Sequence, residues 1–299
     1  MRMNPPLSAR VAAFSRRGLK WSGSILKPLA CLVLFTSGST WADSVGDAWD
    51  LMRLGRWDDA ETRLQVAARQ PGEEACAARF AQGMLWQNRR PSPDLPKAVA
   101  SYQWILDHHP QNRFAPWALL ELARIPDLDV LSPRLDEAIP LYRRVIKEYP
   151  QSDAAQEAAL FLGDALFAAH GREGAQEAVH LLESWQTAHP DPNYAAAFEL
   201  LLGKMYRYPL QDYRKAVQHL GDALDDGLRS ASERLVACWT MATLAERELK
   251  DRDLAVASYS RLLDEFPHHR TAYMAKERLR ALGAPVPEID DRSLESLSK

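Results

Sequence analysis

Three groups of side chains in this 299-residue chain have residue types and spacings that could support chemistry. Histidines stand at His108-His109, His189 and His268-His269, each next to a proline, and such imidazoles could ligate zinc or copper. Acids also occur in pairs, and two carboxylates at a fixed separation can hydrolyse a glycosidic bond. The pairs are Asp127 with Asp129, Asp225 with Asp226, and Asp290 with Asp291.

The placement of these residues favours structural roles instead. Four of the five histidines flank predicted helix ends at equivalent places, where an imidazole can contact the last carbonyl groups. Acids in the loops of an acidic protein are usually solvated. The chain also lacks the sequence signatures of phosphate-binding loops, zinc proteases, redox pairs and nucleophile elbows. We therefore predict no catalytic residue, no metal site and no cofactor.

A repeat of about forty residues organises most of the chain. Alanines recur at intervals of 40, 40, 38 and 39 residues, each followed by Val or Ile and, at the fourth residue, by Tyr or Leu. These alanines are Ala98, Ala138, Ala178, Ala216 and Ala255. A second set of small residues keeps the same period upstream and consists of Gly83, Ala123, Gly163, Gly203 and Ala242. Because both sets of residues recur with the same period, one structural unit is repeated along the chain.

The spacing within each repeat predicts a pair of helices. In one repeat, Ala138, Ile139, Tyr142 and Val145 describe one apolar face of a helix. A small residue lets a neighbouring helix approach closely, and a proline twelve residues after the alanine, present in four of these five repeats, stops the helix. Stacking covers the apolar face that one pair leaves exposed. We predict an all-α, right-handed solenoid of about six helix pairs, with a capping helix over residues 271–282.

These residues resemble the tetratricopeptide repeat (TPR), whose second helix opens on alanine, carries an aromatic residue four positions later and ends at a proline. The closest match is Gly55-x-Trp57-x-x-Ala60. The forty-residue period is more similar to the repeats of bacterial envelope proteins such as the Tol-Pal coordinator and the outer-membrane assembly lipoproteins. Longer loops at residues 88–96 and 125–133, and Leu228 in place of a proline, depart from the pattern.

The resemblance implies that the first helices line a concave surface that binds a protein or peptide partner. Nine tryptophans could suggest carbohydrate binding, but those on second helices are expected to pack between helices. Trp117 and Trp239 lie on predicted first helices and are the candidate partner-binding residues.

The beginning of the chain has the order of a secretory leader. Basic residues precede an apolar run at residues 29–35, no acid occurs before Asp43, and the run is shorter than the roughly 20 residues that span a membrane. Small residues before Asp43 predict cleavage after Ala42. Lys27 stands where a lipoprotein leader should already be apolar, which disfavours lipidation at Cys31. The pair Arg16-Arg17 keeps a twin-arginine export route open beside the general one.

We therefore predict a cleaved leader at residues 1–42, a solenoid at residues 43–283 and a polar tail at residues 284–299, in a periplasmic protein. Removing the leader takes away six of the 37 Lys and Arg residues and none of the 40 Asp and Glu residues. The remaining excess of nine acids disfavours nucleic acid and anionic membranes as partners. The two mature cysteines, Cys76 and Cys238, are predicted to be separate buried thiols.

The predicted function is a non-enzymatic, exported scaffold for a protein or peptide partner in envelope assembly, division or secretion. Two alternatives stay open. Six helix pairs are also the number found in closed α/α toroids, a scaffold of exported glycan lyases and hydrolases. The repeats could instead serve as the interface of a homo-oligomer.

Overall fold

The computed structural model describes residues 42–129 and 132–286, and the chain divides into two compact units, residues 1–178 and 179–299. The predicted leader up to residue 41, Cys31 and the tail beyond residue 286 lie outside the described residues. Within the described ranges all regular structure is helical, which confirms the predicted all-α class. Every helix in these ranges is too short or too polar to cross a bilayer.

The first unit contains three complete helix pairs and the start of a fourth. Each pair consists of a first helix and a second helix joined by a short connection. The helices are α1 (Ala42–Arg53), α2 (Trp57–Ala67), α3 (Glu73–Met84), α4 (Leu95–His108), α5 (Ala115–Asp127), α6 (Leu135–Glu148) and α7 (Asp153–Ala188), whose last residues belong to the second unit. A π-helical turn, Leu85–Arg89, extends α3.

Helix α7 is broken at Gly171, which has φ 60° and ψ −122°. Glycine adopts such a positive φ readily because it has no Cβ. The break divides α7 into two arms that correspond to the first and second helices of the fourth sequence repeat. Before the first arm, Ser152 Oγ accepts a hydrogen bond of 3.2 Å from the Ala155 N–H and so satisfies one unpaired group of the helix start.

The second unit holds two further pairs and the capping helix. Its helices are α8 (Pro192–Met205), α9 (Tyr213–Asp225), α10 (Ala231–Leu244), α11 (Arg252–Glu265) and α12 (Arg270–Ala281). π-Helical turns, Tyr206–Leu210 and Ala245–Leu249, extend α8 and α10. The predicted capping helix is therefore α12, and Gly283 after it takes the left-handed φ of 64° that ends many helices.

Aspartates set the start of three second helices. Asp94, Asp212 and Asp251 each accept a hydrogen bond from the N–H three residues later, at 3.2, 3.1 and 3.1 Å. Such caps satisfy backbone donors that have no partner inside the helix. At the other end of the repeat, the predicted loop at 125–133 begins later than expected, because α5 stays helical through Pro126 to Asp127.

Close packing of a small residue against a large one joins the helices within a pair. All six second-helix alanines are fully buried, at 0% exposure. They are Ala60, Ala98, Ala138, Ala178, Ala216 and Ala255. A Cβ added to Gly83 would lie 2.3 Å from Cε1 of Tyr102, and one added to Gly203 would lie 2.8 Å from Cγ of Leu220. In these two pairs the first helix therefore needs glycine where Tyr102 or Leu220 of the second helix packs on it.

Candidate interaction surface

Contacts between the first helices of successive pairs form a continuous row in the first unit. Arg89, in the turn after α3, lies over the ring of Trp49 on α1, with 5.9 Å between the guanidinium carbon and the ring centroid. In the same turn, Gln87 Nε2 donates a hydrogen bond of 3.0 Å to Glu121 Oε2 on α5. Both Gln87 and Glu121 are buried, so this bond fixes α5 against the end of α3.

The row continues from α5 to α7 through a charged pair. Arg124 Nη1 lies 2.7 Å from Glu121 Oε1, and the guanidinium carbon lies 5.1 Å from the centroid of the Phe161 ring. Burial would lower the pKa of Arg124, but the charges of Glu121 and its neighbours raise it, so Arg124 stays charged. We call this row the first-helix seam; it consists of Trp49, Gln87, Arg89, Glu121, Arg124 and Phe161.

Arginines in and beside the seam keep unused donors. The guanidinium carbon of Arg79, on α3, lies 5.1 Å from the centroid of the Trp104 ring. Arg89 and Arg124 lie over the Trp49 and Phe161 rings in a similar way. All three side chains are partly exposed, yet the Nε atom of each is shielded from solvent and has no hydrogen-bond partner among the described residues. A buried unpaired N–H costs about 1–3 kcal/mol.

The second unit has similar contacts between its own first helices. Arg207, in the turn after α8, donates a hydrogen bond of 3.3 Å to Thr240 Oγ1 on α10. Glu246, in the turn after α10, accepts a hydrogen bond of 3.0 Å from Arg278 Nε on α12. Polar side chains at the ends of first helices therefore link neighbouring pairs within each unit.

The two tryptophans expected to face a partner differ in exposure. Trp117 on α5 is only 9% exposed, so most of its ring packs inside the first unit. Trp239 on α10 is partly exposed and meets the Tyr259 ring edge-on, with centroids 5.7 Å apart. Trp239 therefore offers a partner more surface than Trp117 does. The seam arginines and Trp49 were not recognised from the sequence, because their alignment depends on how the first helices stack.

The histidines next to prolines take part in helix ends. His108 Nδ1 lies 2.9 Å from the carbonyl oxygen of Trp104, and the two rings stack at 4.8 Å. His189 stacks on Trp185 at 4.0 Å. His269 instead caps the start of α12, where its Nδ1 accepts a hydrogen bond of 3.2 Å from the Thr271 N–H. This last arrangement differs from the expected contact with a final carbonyl group.

The acid pairs are also used in structural contacts. Asp127 accepts a hydrogen bond of 2.7 Å from the Tyr142 hydroxyl, and Asp129 accepts one of 3.3 Å from the Ser132 N–H. Asp225 accepts one of 2.8 Å from Arg261 Nη1. Asp290 and Asp291 lie outside the described residues.

One group of potential metal ligands comes together in the second unit. It consists of Glu199 on α8 with His219 and Asp222 on α9, whose nearest ligand atoms all lie within 4.8 Å of one another. His219 Nδ1 is 2.6 Å from Glu199 Oε2. Burial would raise the pKa of Glu199, but hydrogen bonds from His219 and Gln186 lower it. Partial burial and the Glu199 carboxylate raise the pKa of Asp222. The i, i+3 spacing of His219 and Asp222 is visible in the sequence, whereas the approach of Glu199 is not.

Comparison with known proteins supports the repeat fold. A tetratricopeptide-repeat family model matches residues 134–152 and 239–269. The fold is similar to the crystal structure of the apo form of RapI, with a TM-score of 0.55 and 12% sequence identity over 91% of this chain and 80% of that chain. No curated protein matches the chain significantly. The chain thus has an all-α solenoid fold, and two of its segments are similar to the tetratricopeptide repeat.

Proposed function

We propose that this protein is an exported, non-enzymatic scaffold that binds a segment of a partner protein along its first helices. TPR-like pairs present successive first helices as a prepared surface, so a partner segment can bind with little ordering cost in the scaffold. The repeat matches and the solenoid fold support this general role. The basic, apolar and polar order of the leader supports export to the periplasm, with a role in envelope assembly, division or secretion.

The observation that carries the proposal is the first-helix seam with its partly exposed arginines. Arg79, Arg89 and Arg124 each combine a guanidinium that lies over an aromatic ring with an N–H that has no partner among the described residues. Arginine and aromatic side chains dominate the binding energy of many protein interfaces. Carbonyl and carboxylate groups of a partner segment would accept hydrogen bonds from these arginines, while its apolar side chains would pack on the rings. The acidic excess of the mature chain would steer partners that carry basic regions toward it.

A non-enzymatic role is supported by the use of the candidate catalytic groups. Asp127, Asp129 and Asp225 bond to tyrosine, backbone and arginine groups, respectively, and His108, His189 and His269 support helix ends. Structural contacts therefore account for the positions of these acids and histidines, and no catalytic role is needed to explain them. The same contacts would have to be broken before these groups could act on a substrate.

The test is capture of partners from an envelope extract by the mature chain, residues 43–299, compared with variants. The seam variants are Arg89→Glu, which reverses a charge, and Trp49→Ala, which removes a ring. Arg79→Glu reverses a charge beside the seam. Arg144→Glu on α6 is the matched control, since Arg144 is exposed and forms only an i, i+4 pair with Glu148. We expect the seam variants to lose a partner that the wild type and the control retain.

The affinity of each variant for the captured partner is then measured from binding curves. Loss of at least tenfold in affinity for the seam variants, with unchanged circular dichroism, would agree with the proposal. Equal capture by all variants would overturn the assignment of the seam. Mass that rises with protein concentration, without any other bound protein, would instead favour the homo-oligomer hypothesis.

A further inference from the structure

The Glu199, His219 and Asp222 cluster has the composition and geometry of a metal site. His219 and Asp222 lie one turn apart on α9, so their side chains share a face of that helix. Glu199 reaches them from α8, and the nearest ligand atoms of all three lie within 4.8 Å of one another. Glu199 and His219 side chains are 15% and 16% exposed, whereas Asp222 is exposed. The cluster is therefore partly enclosed and open on the Asp222 side.

Neighbouring groups hold two of these ligands in place. Gln186 Nε2 donates a hydrogen bond of 2.9 Å to Glu199 Oε1, which leaves Oε2 facing His219. The ring of Tyr206 stacks on the His219 ring at 5.2 Å with an interplanar angle of 2°. Tyr206 is itself held because its hydroxyl donates to Glu183 Oε1 at 2.7 Å and accepts from Lys215 Nζ at 3.1 Å. Outer contacts of this kind orient the ligands of metal sites.

The third ligand, Asp222, makes no side-chain hydrogen bond or ion pair with any described residue. An exposed carboxylate is normally solvated, so the lack of a protein partner does not by itself indicate a metal site. Asp222, however, lies beside the Glu199 carboxylate and an imidazole nitrogen of His219. The three side chains together offer nitrogen and oxygen ligands and carry two negative charges. A divalent cation would neutralise both carboxylates at once. Imidazole with carboxylate donors suits zinc and its first-row neighbours better than calcium or magnesium.

We propose that Glu199, His219 and Asp222 bind one divalent transition-metal ion, with Zn²⁺ as the reference ion, and that the ion fastens α8 to α9. The ion binds the unprotonated Nδ1 of His219, whose imidazole proton then lies on Nε2, and it takes the place of the hydrogen bond between Nδ1 and Glu199 Oε2. Zn²⁺ takes such ligands at about 2.0–2.2 Å, so small side-chain rotations bring the three donors into range. Solvent fills the remaining coordination position on the open side. The site is independent of the first-helix seam, so either proposal can fail without the other.

The experiment uses the mature chain, residues 43–299, stripped with a chelator and titrated with Zn²⁺ by calorimetry. We expect one equivalent to bind with micromolar or tighter affinity and to raise the melting temperature. His219→Gln and Asp222→Asn should each weaken binding at least tenfold and abolish the rise in melting temperature. Asp222→Asn alters an exposed side chain, so it keeps the test valid if His219→Gln disturbs folding.

Matched controls lie elsewhere on the surface. His180→Gln and Asp253→Asn change exposed residues of the same types in the same unit, and both should bind Zn²⁺ as the wild type does. Co²⁺ should give visible d–d bands without the near-ultraviolet thiolate band that cysteine ligation produces. Unchanged affinity in both cluster variants, a thiolate band, a dissociation constant above about 1 mM, or equal affinity for Ca²⁺ would each overturn the proposal.

Discussion

The Tyr102 hydroxyl donates a hydrogen bond of 2.7 Å to Gln87 Oε1, while the Tyr102 ring covers Gly83, four residues before Gln87. Both polar atoms are buried. The same relation recurs in two other pairs, where Tyr142 donates to Asp127 at 2.7 Å and Tyr259 donates to Glu246 at 2.8 Å. In each case the acceptor stands four residues after the small residue of the first helix.

The three remaining repeats have leucine in place of this tyrosine, and none has a hydrogen-bond acceptor of that kind at the corresponding place. Their leucines are Leu64, Leu182 and Leu220, and the corresponding residues are Met52, Phe167 and Arg207. A buried hydroxyl needs a partner, whereas a leucine does not. The identity of the residue on the second helix thus explains the polarity of a residue on the first.

Tyr102→Phe should lower the free energy of unfolding by about 1–2 kcal/mol, because it removes a buried hydrogen bond and leaves Gln87 Oε1 unpaired. Urea unfolding followed by circular dichroism measures this. Tyr149→Phe is the control, since its hydroxyl bonds to the Pro110 carbonyl oxygen at an exposed site and should cost less. The double variant Tyr102→Phe with Gln87→Leu should lose less free energy of unfolding than the two single variants lose in total. Strict additivity would mean that the pair does not interact.

Gly83→Ala should destabilise the first unit by about 1–3 kcal/mol, since the added Cβ would overlap the Tyr102 ring. Gly46→Ala on α1 is the matched control, because a Cβ there has nothing within 4 Å. That change should be neutral or stabilise by up to about 1 kcal/mol through the helix preference of alanine. Chemical denaturation of both variants under one condition compares them. A neutral Gly83→Ala would show that the helices have room to separate.

Ala138→Leu should cost about 1–3 kcal/mol or more, because Ala138 is fully buried where α6 packs on its neighbours. Leucine at the exposed Glu148 on the same helix should cost little. Thermal melts of the two variants test the assigned helix faces. Similar losses at both positions would contradict them.

The buried Cys238 thiol should resist both labelling and ionisation. Burial, then the nearby Glu265 carboxylate, raises its pKa from 9.0 to about 11. The folded state therefore holds the thiol proton of Cys238 more tightly than the unfolded state does. The resulting contribution to the free energy of unfolding is fully present below pH 9 and is lost as the pH rises through 11. Tyr102 and Tyr142 act in the same direction, since burial raises the pKa of each well above its usual value.

We therefore expect the free energy of unfolding to fall between pH 9 and 11, and to fall less in Cys238→Ala. Reaction of the native protein with a thiol reagent at pH 8 should be slow for both Cys238 and Cys76, and fast in urea. Both cysteines are free and buried in the structure. Rapid labelling of the folded chain, or a stability that is flat to pH 11, would contradict this account.

Expression of the full chain in a bacterium with two membranes should yield a periplasmic protein that begins at Asp43. N-terminal sequencing and intact mass of the fractionated protein measure this directly. A chain that retains Met1, or one that carries lipid on Cys31, would contradict the predicted leader. Arg16→Lys with Arg17→Lys should block export only if the twin-arginine route is used.

Much of the fold was predictable because burial repeats along the chain. The alanines at 98, 138, 178, 216 and 255 mark second helices, and all lie fully buried there. Their period predicted six pairs and a capping helix, which the described residues contain. The capping residues Asp94, Asp212 and Asp251 are also visible in the sequence, each four residues before an alanine of the repeat.

The sequence by itself determined that helices form, where they stop and which residues face inward, because these depend on the order of apolar, small and capping residues along the chain. Only the tertiary structure decided that Arg89 meets Trp49, that Tyr102 meets Gln87 and that Glu199 meets His219 and Asp222. These contacts join residues on different helices. They depend on the distance and angle at which helices pack, and a hydrophobic period does not specify either.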